Sequence, residues 1–327
     1  MKHLRKISYQ KPLMLLALIV IATLLNRSFL SISNIISILL AVCIYGVMAC
    51  GTIFPLLNGG IDLSIGSIAA LSGSVMVLVT IHFGYTPAGT MMGILAGIAA
   101  GAVCGLINGL VSYYFLVPSF VVTLAMKNII LGVAQHITHQ NTIICLESKV
   151  MNWIGTGKIA GVPFLIWSFV LMFIVVWFVL NRTKYGKYTY ATGGNETATR
   201  YSGINSRMIG ISAFVISGCT AAISGILLSC FNRQAVATQA SGYDGNVLVM
   251  LVVGGVSMAG GEGNITGVLF GMSLVGIINN AMLLMGVDSI YQDMIQGILI
   301  VIAVALDYFS RKRSIAVQTK KMEAKAA

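Results

Sequence analysis

In a chain of 327 residues, 57% are hydrophobic and only 9% are charged, which excludes an ordinary water-soluble domain, in which roughly a quarter of residues carry charge. The formal net charge of +11 comes from 20 Lys and Arg against 9 Asp and Glu, and 15 of the 20 cations fall in three segments, 2–11, 182–207 and 311–325. Each segment adjoins an apolar run, so the charge reads as membrane topology with lipid as the partner and gives no support to a nucleic-acid partner.

In chain order, a basic stretch (1–11) precedes an apolar run at Leu13–Leu25 that has no small-x-small cleavage site and is read as a retained first helix. Further apolar runs follow at Ile35–Leu57, Leu63–Ile81, Met91–Phe115, Val117–Gln135, Pro163–Leu180, Met208–Phe231, Gly245–Met258, Ile265–Met285 and Tyr291–Phe309. A helix needs roughly 20 apolar residues to cross a bilayer, so the shorter runs are candidates for re-entrant segments. The expected fold is all-α, a polytopic transmembrane helical bundle of about ten spans with broken or re-entrant helices. Keeping the three cationic segments on one side requires six crossings before the central loop and four after it, and places both termini in the cytoplasm. The chain then divides into a cytoplasmic N-terminal segment (1–11), a transmembrane domain (12–310) containing a cytoplasmic loop (181–207), and a cytoplasmic basic tail (311–327).

Thirty-six glycines suit close helix packing in lipid, and six cysteines without a C-x-x-C pair read as packing residues. Two internal echoes stand out. Gly59-Gly60-Ile61-Asp62 is answered by Gly254-Gly255-Val256-Ser257, and Gly105-Leu106-Ile107-Asn108-Gly109 by Gly276-Ile277-Ile278-Asn279-Asn280. In the expected topology the two G-x-I-N helices run in opposite directions, the pattern of an inverted repeat; chance recurrence in a Gly-rich chain is the other reading.

No phosphate-cradling G-x-x-x-x-G-K-[ST] occurs, because Gly157-Lys158 is followed by Ile159 and Gly186-Lys187 by Tyr188. Neither a metalloprotease helix nor a nucleophile elbow is present, so no catalytic set and no cofactor is expected in this chain. His136-x-x-His139 reads as part of an exposed loop, with metal binding as the alternative.

Polar residues inside apolar runs need partners. Asp62, beside Asn58, Ser64 and Ser67, either caps the helix that follows or contacts substrate or a gate. Asn108, Asn279 and Asn280 either bond across helix interfaces or line a hydroxyl-tolerant path. In the central loop, Asn195 is a suitable N-cap, Glu196 suits a positive helix start, and Gly203 suits a left-handed stop. A short polar helix there offers a rigid knob to a cytoplasmic partner.

Three of these segments occur in an order and spacing similar to the ribose-type permeases of bacterial ABC importers: Gly59 to Ser67, Gly194 to Asn205, and Gly254 to Gly263. The resemblance implies a multi-pass protein of the bacterial cytoplasmic membrane that carries a ribose-like or related monosaccharide. It also implies cytoplasmic ATP-binding subunits holding ATP and Mg, an extracytoplasmic sugar-binding protein, and a second permease copy. The residues implied for ATPase coupling are Gly194, Asn195, Glu196, Thr197, Ala198, Arg200, Ser202, Gly203 and Ile204. Rival readings are an ion-coupled secondary transporter, a passive channel for a small polar solute, and a membrane-embedded enzyme.

Overall fold

The computed structural model describes residues 10–288 and, from 290 to 305, all positions except 293, 296, 299 and 303. Most of the basic segment 1–11, the end of the run Tyr291–Phe309 and the tail 311–327 lie outside the described residues.

Helices dominate: α1 (Gln10–Leu25), α2 (Ile32–Leu57), α3 (Ile65–His82), α4 (Pro87–Tyr113), α5 (Ser119–Ile137), α6 (Lys149–Thr156), α7 (Phe164–Arg182), α8 (Lys184–Gly194), α9 (Glu196–Tyr201), α10 (Ser206–Asn232), α11 (Tyr243–Val253) and α12 (Ile265–Leu284). Beyond α12, the described residues from 290 to 305 are also helical. Two antiparallel strand pairs, Ile143–Ile144 with Gln234–Ala235 and Lys158–Ile159 with Val162–Pro163, close surface loops. Local chemistry explains several helix starts. The side chains of Ser31, Thr86, Asn205 and Asn264 each accept a backbone N–H of the helix they precede, and Pro87 occupies the first turn of α4.

Among the described residues seven helices, α2, α3, α4, α5, α7, α10 and α12, are long and apolar enough to cross a membrane. The run Gly245–Met258 does not form a full-length spanning helix. Helix α11 stops at Val253 after 11 residues, about 16 Å of rise and near half a bilayer core, so the chain passes from the end of α10 to the start of α12 through this half-helix and the non-helical residues 233–242 and 254–264. The physical reason is local: Gly255, Gly260, Gly261 and Gly263 all have positive φ, which a continuing helix does not permit.

Helices α10 and α3 are the most buried, and α2 and α4 pack on them, whereas α5 and α7 present mostly exposed apolar faces. Close approach is set by glycine where α4 crosses α10. A Cβ on Gly101 would lie 2.5 Å from the Gly218 carbonyl oxygen, and one on Gly218 2.2 Å from that of Gly101. Helices α2 and α10 run antiparallel through the centre, joined where Ser224 Oγ donates to the Ile44 carbonyl (2.8 Å) and where the hydroxyls of Thr52 and Ser217 lie 3.5 Å apart.

These contacts fix the direction of the other elements. Thr90, early in α4, bonds Ser148 just before α6, and α6 packs against the end of α10 at Cys230. The end of α12 meets the same pole of the bundle through Asn26 Nδ2, which donates to the Leu284 carbonyl (3.1 Å) beside the start of α2. Helix α4 therefore begins where α12 ends, and the two G-x-I-N runs point in opposite directions, as an inverted repeat requires. One pairing differs from the sequence reading. The break after α2 (58–64) corresponds in position to the break after α10 (233–242), because α2 and α10 are the matching long helices; residues 254–257 follow the half-helix α11 instead.

Candidate functional site

The break between α2 and α3 brings together most of the polar candidates. Asp62 is buried, and its Oδ1 accepts from the Ser64 amide (3.0 Å) and the Ser64 hydroxyl (2.7 Å), while Oδ2 accepts from Ser217 Oγ on α10 (2.8 Å). Asn108 Nδ2 on α4 donates to Ser64 Oγ (2.8 Å). Asp62 is not a helix cap: α3 begins at Ile65, the cap position is Ser64, and the carboxylate holds the turn that precedes it. Backbone groups freed by the break are met by the first turn of α5. Ser119 Oγ accepts the Ile61 N–H (3.0 Å) and Thr123 Oγ1 donates to the Ile61 carbonyl (3.0 Å). Irregular backbone at membrane depth is stable only with such partners. Ser67 is buried one turn into α3. Asn58 closes α2, and both polar atoms of its amide, like Oδ1 of Asn108, are buried without a hydrogen-bond partner.

Asn279 and Asn280 lie elsewhere. The Asn280 and Asn34 amides exchange two hydrogen bonds of 2.9 Å, tying α12 to the start of α2. Both asparagines of the pair 279–280 border a cavity of about 280 Å³ between α2, α11, α12 and Gln292. The path candidates thus divide into a hydrogen-bonded set at the first break and a cavity wall on the other side of α2.

The central loop folds as two helices. Asn195 ends α8 and starts α9, its Oδ1 accepting the Ala198 N–H (2.9 Å), and Gly203 has φ +82°, both as the sequence predicts. Glu196 Oε1 accepts from Ser206 Oγ (3.1 Å), which fixes α9 against the start of α10. Gly194, Asn195, Glu196, Thr197, Ala198, Arg200, Ser202 and Gly203 are exposed and Ile204 is half-buried, while Thr199 is buried beneath them.

Helix α8, which leads into this knob, lies directly against the end of α2 and the 254–264 segment. The Leu57 carbonyl, at the end of α2, accepts the Gly261 N–H (2.8 Å), and Gly193 lies over that bond so closely that a Cβ would be 1.8 Å from Leu57 O. Tyr190 on α8 donates from its hydroxyl to the Gly263 carbonyl (3.0 Å), and the Tyr185 and Ser212 hydroxyls bond at 2.9 Å. Burial pushes both phenols above their ordinary pKa, so they remain neutral.

The family described as the permease component of the branched-chain amino acid transport system matches residues 34–304. The ribose import permease protein of Escherichia coli (strain K12) is 35% identical over 302 residues, covering 91% of this chain and 93% of the relative. This chain belongs to that permease family. The ribose import permease protein of Bacillus subtilis (strain 168) is 38% identical over 301 residues (92% of this chain, 91% of the relative). The fructose import permease protein of Rhizobium meliloti is 33% identical over 308 residues (91% and 84%). No solved structure matches.

Two charged residues of the permease escape the sequence reading. Lys127, mid-way along α5, donates from Nζ to Asp244 Oδ2 (2.7 Å) at the start of α11, with side-chain exposures of 33% and 10%. The signal was present, since a lone lysine in the run Val117–Gln135 and an aspartate opening a later apolar run each call for a partner in hydrocarbon. Gly193 and Tyr190 also went unmarked. Nothing in the local sequence reveals that Leu57 and Gly261, some 200 residues apart, meet beneath them.

Proposed function

We propose that this permease carries a neutral monosaccharide, ribose or a related pentose or hexose, across the bacterial cytoplasmic membrane as the channel-forming part of a binding-protein-dependent ABC importer. The observation that carries the proposal is the seating of α8, which leads into the exposed α9 knob, on the end of α2 at Leu57 and on the 254–264 segment at Gly261 and Gly263. An ATPase that grips α9 from the cytoplasm pulls through α8 on Leu57, at the edge of the 58–64 break, and on Gly261. Identity to ribose and fructose import permeases along nearly the whole chain supports the sugar class.

In this reading the pole carrying α8 and α9 faces the cytoplasm, as do both termini, in keeping with the 15 clustered cations. ATP and Mg are held by the ATP-binding subunits. A second permease copy completes the path, and an extracytoplasmic sugar-binding protein delivers the solute at the opposite pole. Asp62, with Asn58, Ser64, Ser67 and Asn108, keeps the break polar at membrane depth, where buried amide atoms without partners are suited to meet water or a solute hydroxyl as the break moves. The mechanism is alternating access: closure of the ATPases drives the knob, and the breaks reshape the path.

The Lys127–Asp244 pair favours one other reading, an ion-coupled transporter, because intramembrane charges serve as relays in such proteins. One experiment separates the two. The permease is purified with its associated subunits, reconstituted in vesicles with labelled ribose, and assayed with and without ATP and a proton gradient. Uptake that needs ATP and co-purified ATPase, and that falls at least tenfold in the Glu196→Ala/Arg200→Ala variant, supports the importer. Gradient-driven uptake by the chain alone overturns it.

A further inference from the structure

The cavity between α2, α11 and α12 has no assigned role, and its walls are unlike their surroundings. On α2 the neighbouring Ile35, Ile36 and Leu39, and on α12 Leu283, expose apolar surface. Tyr45, Ser241, Asn246, Asn279 and Gln292 line the cavity, so that hydroxyl and amide groups share a largely apolar wall with Ile38, Val42 and Leu283. Asn246 is buried there and Tyr45, Asn279 and Gln292 are half-buried, and polar side chains so placed in a membrane protein are costly unless something polar meets them.

The walls are held in place before any solute arrives. Tyr45 packs on Tyr243 with ring centroids 4.3 Å apart, and both it and the buried Asn246 border the cavity. The Asn34–Asn280 pair clamps α12 to α2 at one end of the cavity. Gly276 allows close approach at the other, since a Cβ there would lie 2.2 Å from Val42 Cγ2. Asn246 sits in the first turn of half-helix α11.

Size and charge select the ligand class. A volume of about 280 Å³ equals roughly nine waters at their share of liquid volume, the space of a solute with about ten to twelve heavy atoms. The described lining residues carry no formal charge, so nothing there neutralises the ammonium and carboxylate of an amino acid. Amides offer donors and acceptors together, which matches a hydroxyl group that needs both.

We propose that this cavity is a holding site for a neutral polyol of monosaccharide size, with the amides of Asn246, Asn279 and Gln292 meeting its hydroxyls and Tyr45 forming one wall. The assignment rests on the importer reading and adds the place where the solute pauses. The test uses the whole importer in vesicles, with labelled ribose, arabinose and fructose as probes. Asn279→Leu removes the amide at nearly constant volume and Ser37→Trp fills the hollow. Both cut ATP-driven uptake at least tenfold while leaving assembly and ATP hydrolysis stimulated by the binding protein intact, and Asn279→Gln recovers part of the loss.

A second measurement covers variants that fail to assemble. In Asn279→Cys, high ribose slows labelling by a small thiol reagent at least threefold relative to sucrose, read against the unsubstituted chain, whose cysteines are mostly buried. Uptake within twofold of wild type in both Asn279→Leu and Ser37→Trp, or labelling that ribose leaves unchanged, overturns the site while the importer reading stands. If wild type moves none of the three sugars under ATP, the importer reading fails and the site falls with it.

Discussion

Replacing Gly193 by alanine tests the junction beneath the α9 knob with a single methyl group. Gly193 is within helix α8, so alanine carries no backbone strain there, and the whole effect is steric. The added Cβ would lie 1.8 Å from Leu57 O and 2.5 Å from the Gly261 nitrogen, whereas ordinary contacts begin near 3.4 Å. Relief requires α8 to withdraw by about 1.6 Å or the 2.8 Å bond between Leu57 and Gly261 to open. Overpacking costs about 1–3 kcal/mol and an opened buried backbone bond about 1–3 kcal/mol more, so the variant loses roughly 2–6 kcal/mol. For a chain of this length that is a fall of about 3–9 °C in unfolding midpoint.

The adjacent position supplies the control. A Cβ on Gly194 meets nothing within 4 Å, so Gly194→Ala shifts the midpoint by less than about 1 °C. Thermal unfolding in detergent, followed by intrinsic fluorescence, reads both variants without needing the ATPase. Equal midpoints for Gly193→Ala and Gly194→Ala would refute the contact between α8, α2 and the 254–264 segment, and with it the path by which the knob reaches the breaks.

Two further sets of substitutions probe the interior charges. Asp62→Asn keeps the shape and can still accept from Ser64 while Ser217 rotates its hydroxyl to accept, a loss of about 1 kcal/mol; Asp62→Leu strands the Ser64 amide and two hydroxyls and costs about 3 kcal/mol or more, so the two midpoints must differ. Lys127→Met leaves Asp244 nearly buried without its cation and costs about 2–4 kcal/mol, the lower end reflecting the exposed part of the lysine, whereas adding Asp244→Asn to that variant recovers most of the loss; a double variant no more stable than the single would show that the pair is not coupled.

The long helices were legible because hydrophobicity and length are read along one strand of sequence, and α2, α10 and α12 lie within a few residues of the runs that announced them. The early end of the helix in the run Gly245–Met258 was not legible because Gly254 and Gly255 are themselves compatible with an apolar span, and the positive φ of Gly255 stops the helix. Asn195 and Gly203 were readable since a cap and a left-handed stop are local chemistry. Asp62 was recognised as a polar residue in need of a reason, but its partner Ser217 lies 155 residues away, so capping and tertiary bonding could not be told apart from spacing. Long separations, 117 residues in the first case and about 200 in the second, likewise hid Asp244 from Lys127 and Gly261 from Leu57.

Helix α5 links the first break to α11. Its first turn holds the backbone of the 58–64 break through Ser119 and Thr123, and one turn further Lys127 holds the start of α11 through Asp244. The other ends of these elements are joined at Leu57 and Gly261 under the α9 knob. A displacement of the knob therefore moves one end of each element while α5 retains the other. Motion is then taken up within the glycine-bearing segments 58–64 and 254–264, where positive-φ residues already interrupt the helices, and not by translation of the central rods α2 and α10, which are locked to each other at Ser224 and Ile44. Helix α5 buries Ile130 and Ala134 in the core but is otherwise mostly exposed, which makes Lys127 and Ser119 the residues through which a neighbouring subunit on that face would influence both segments at once.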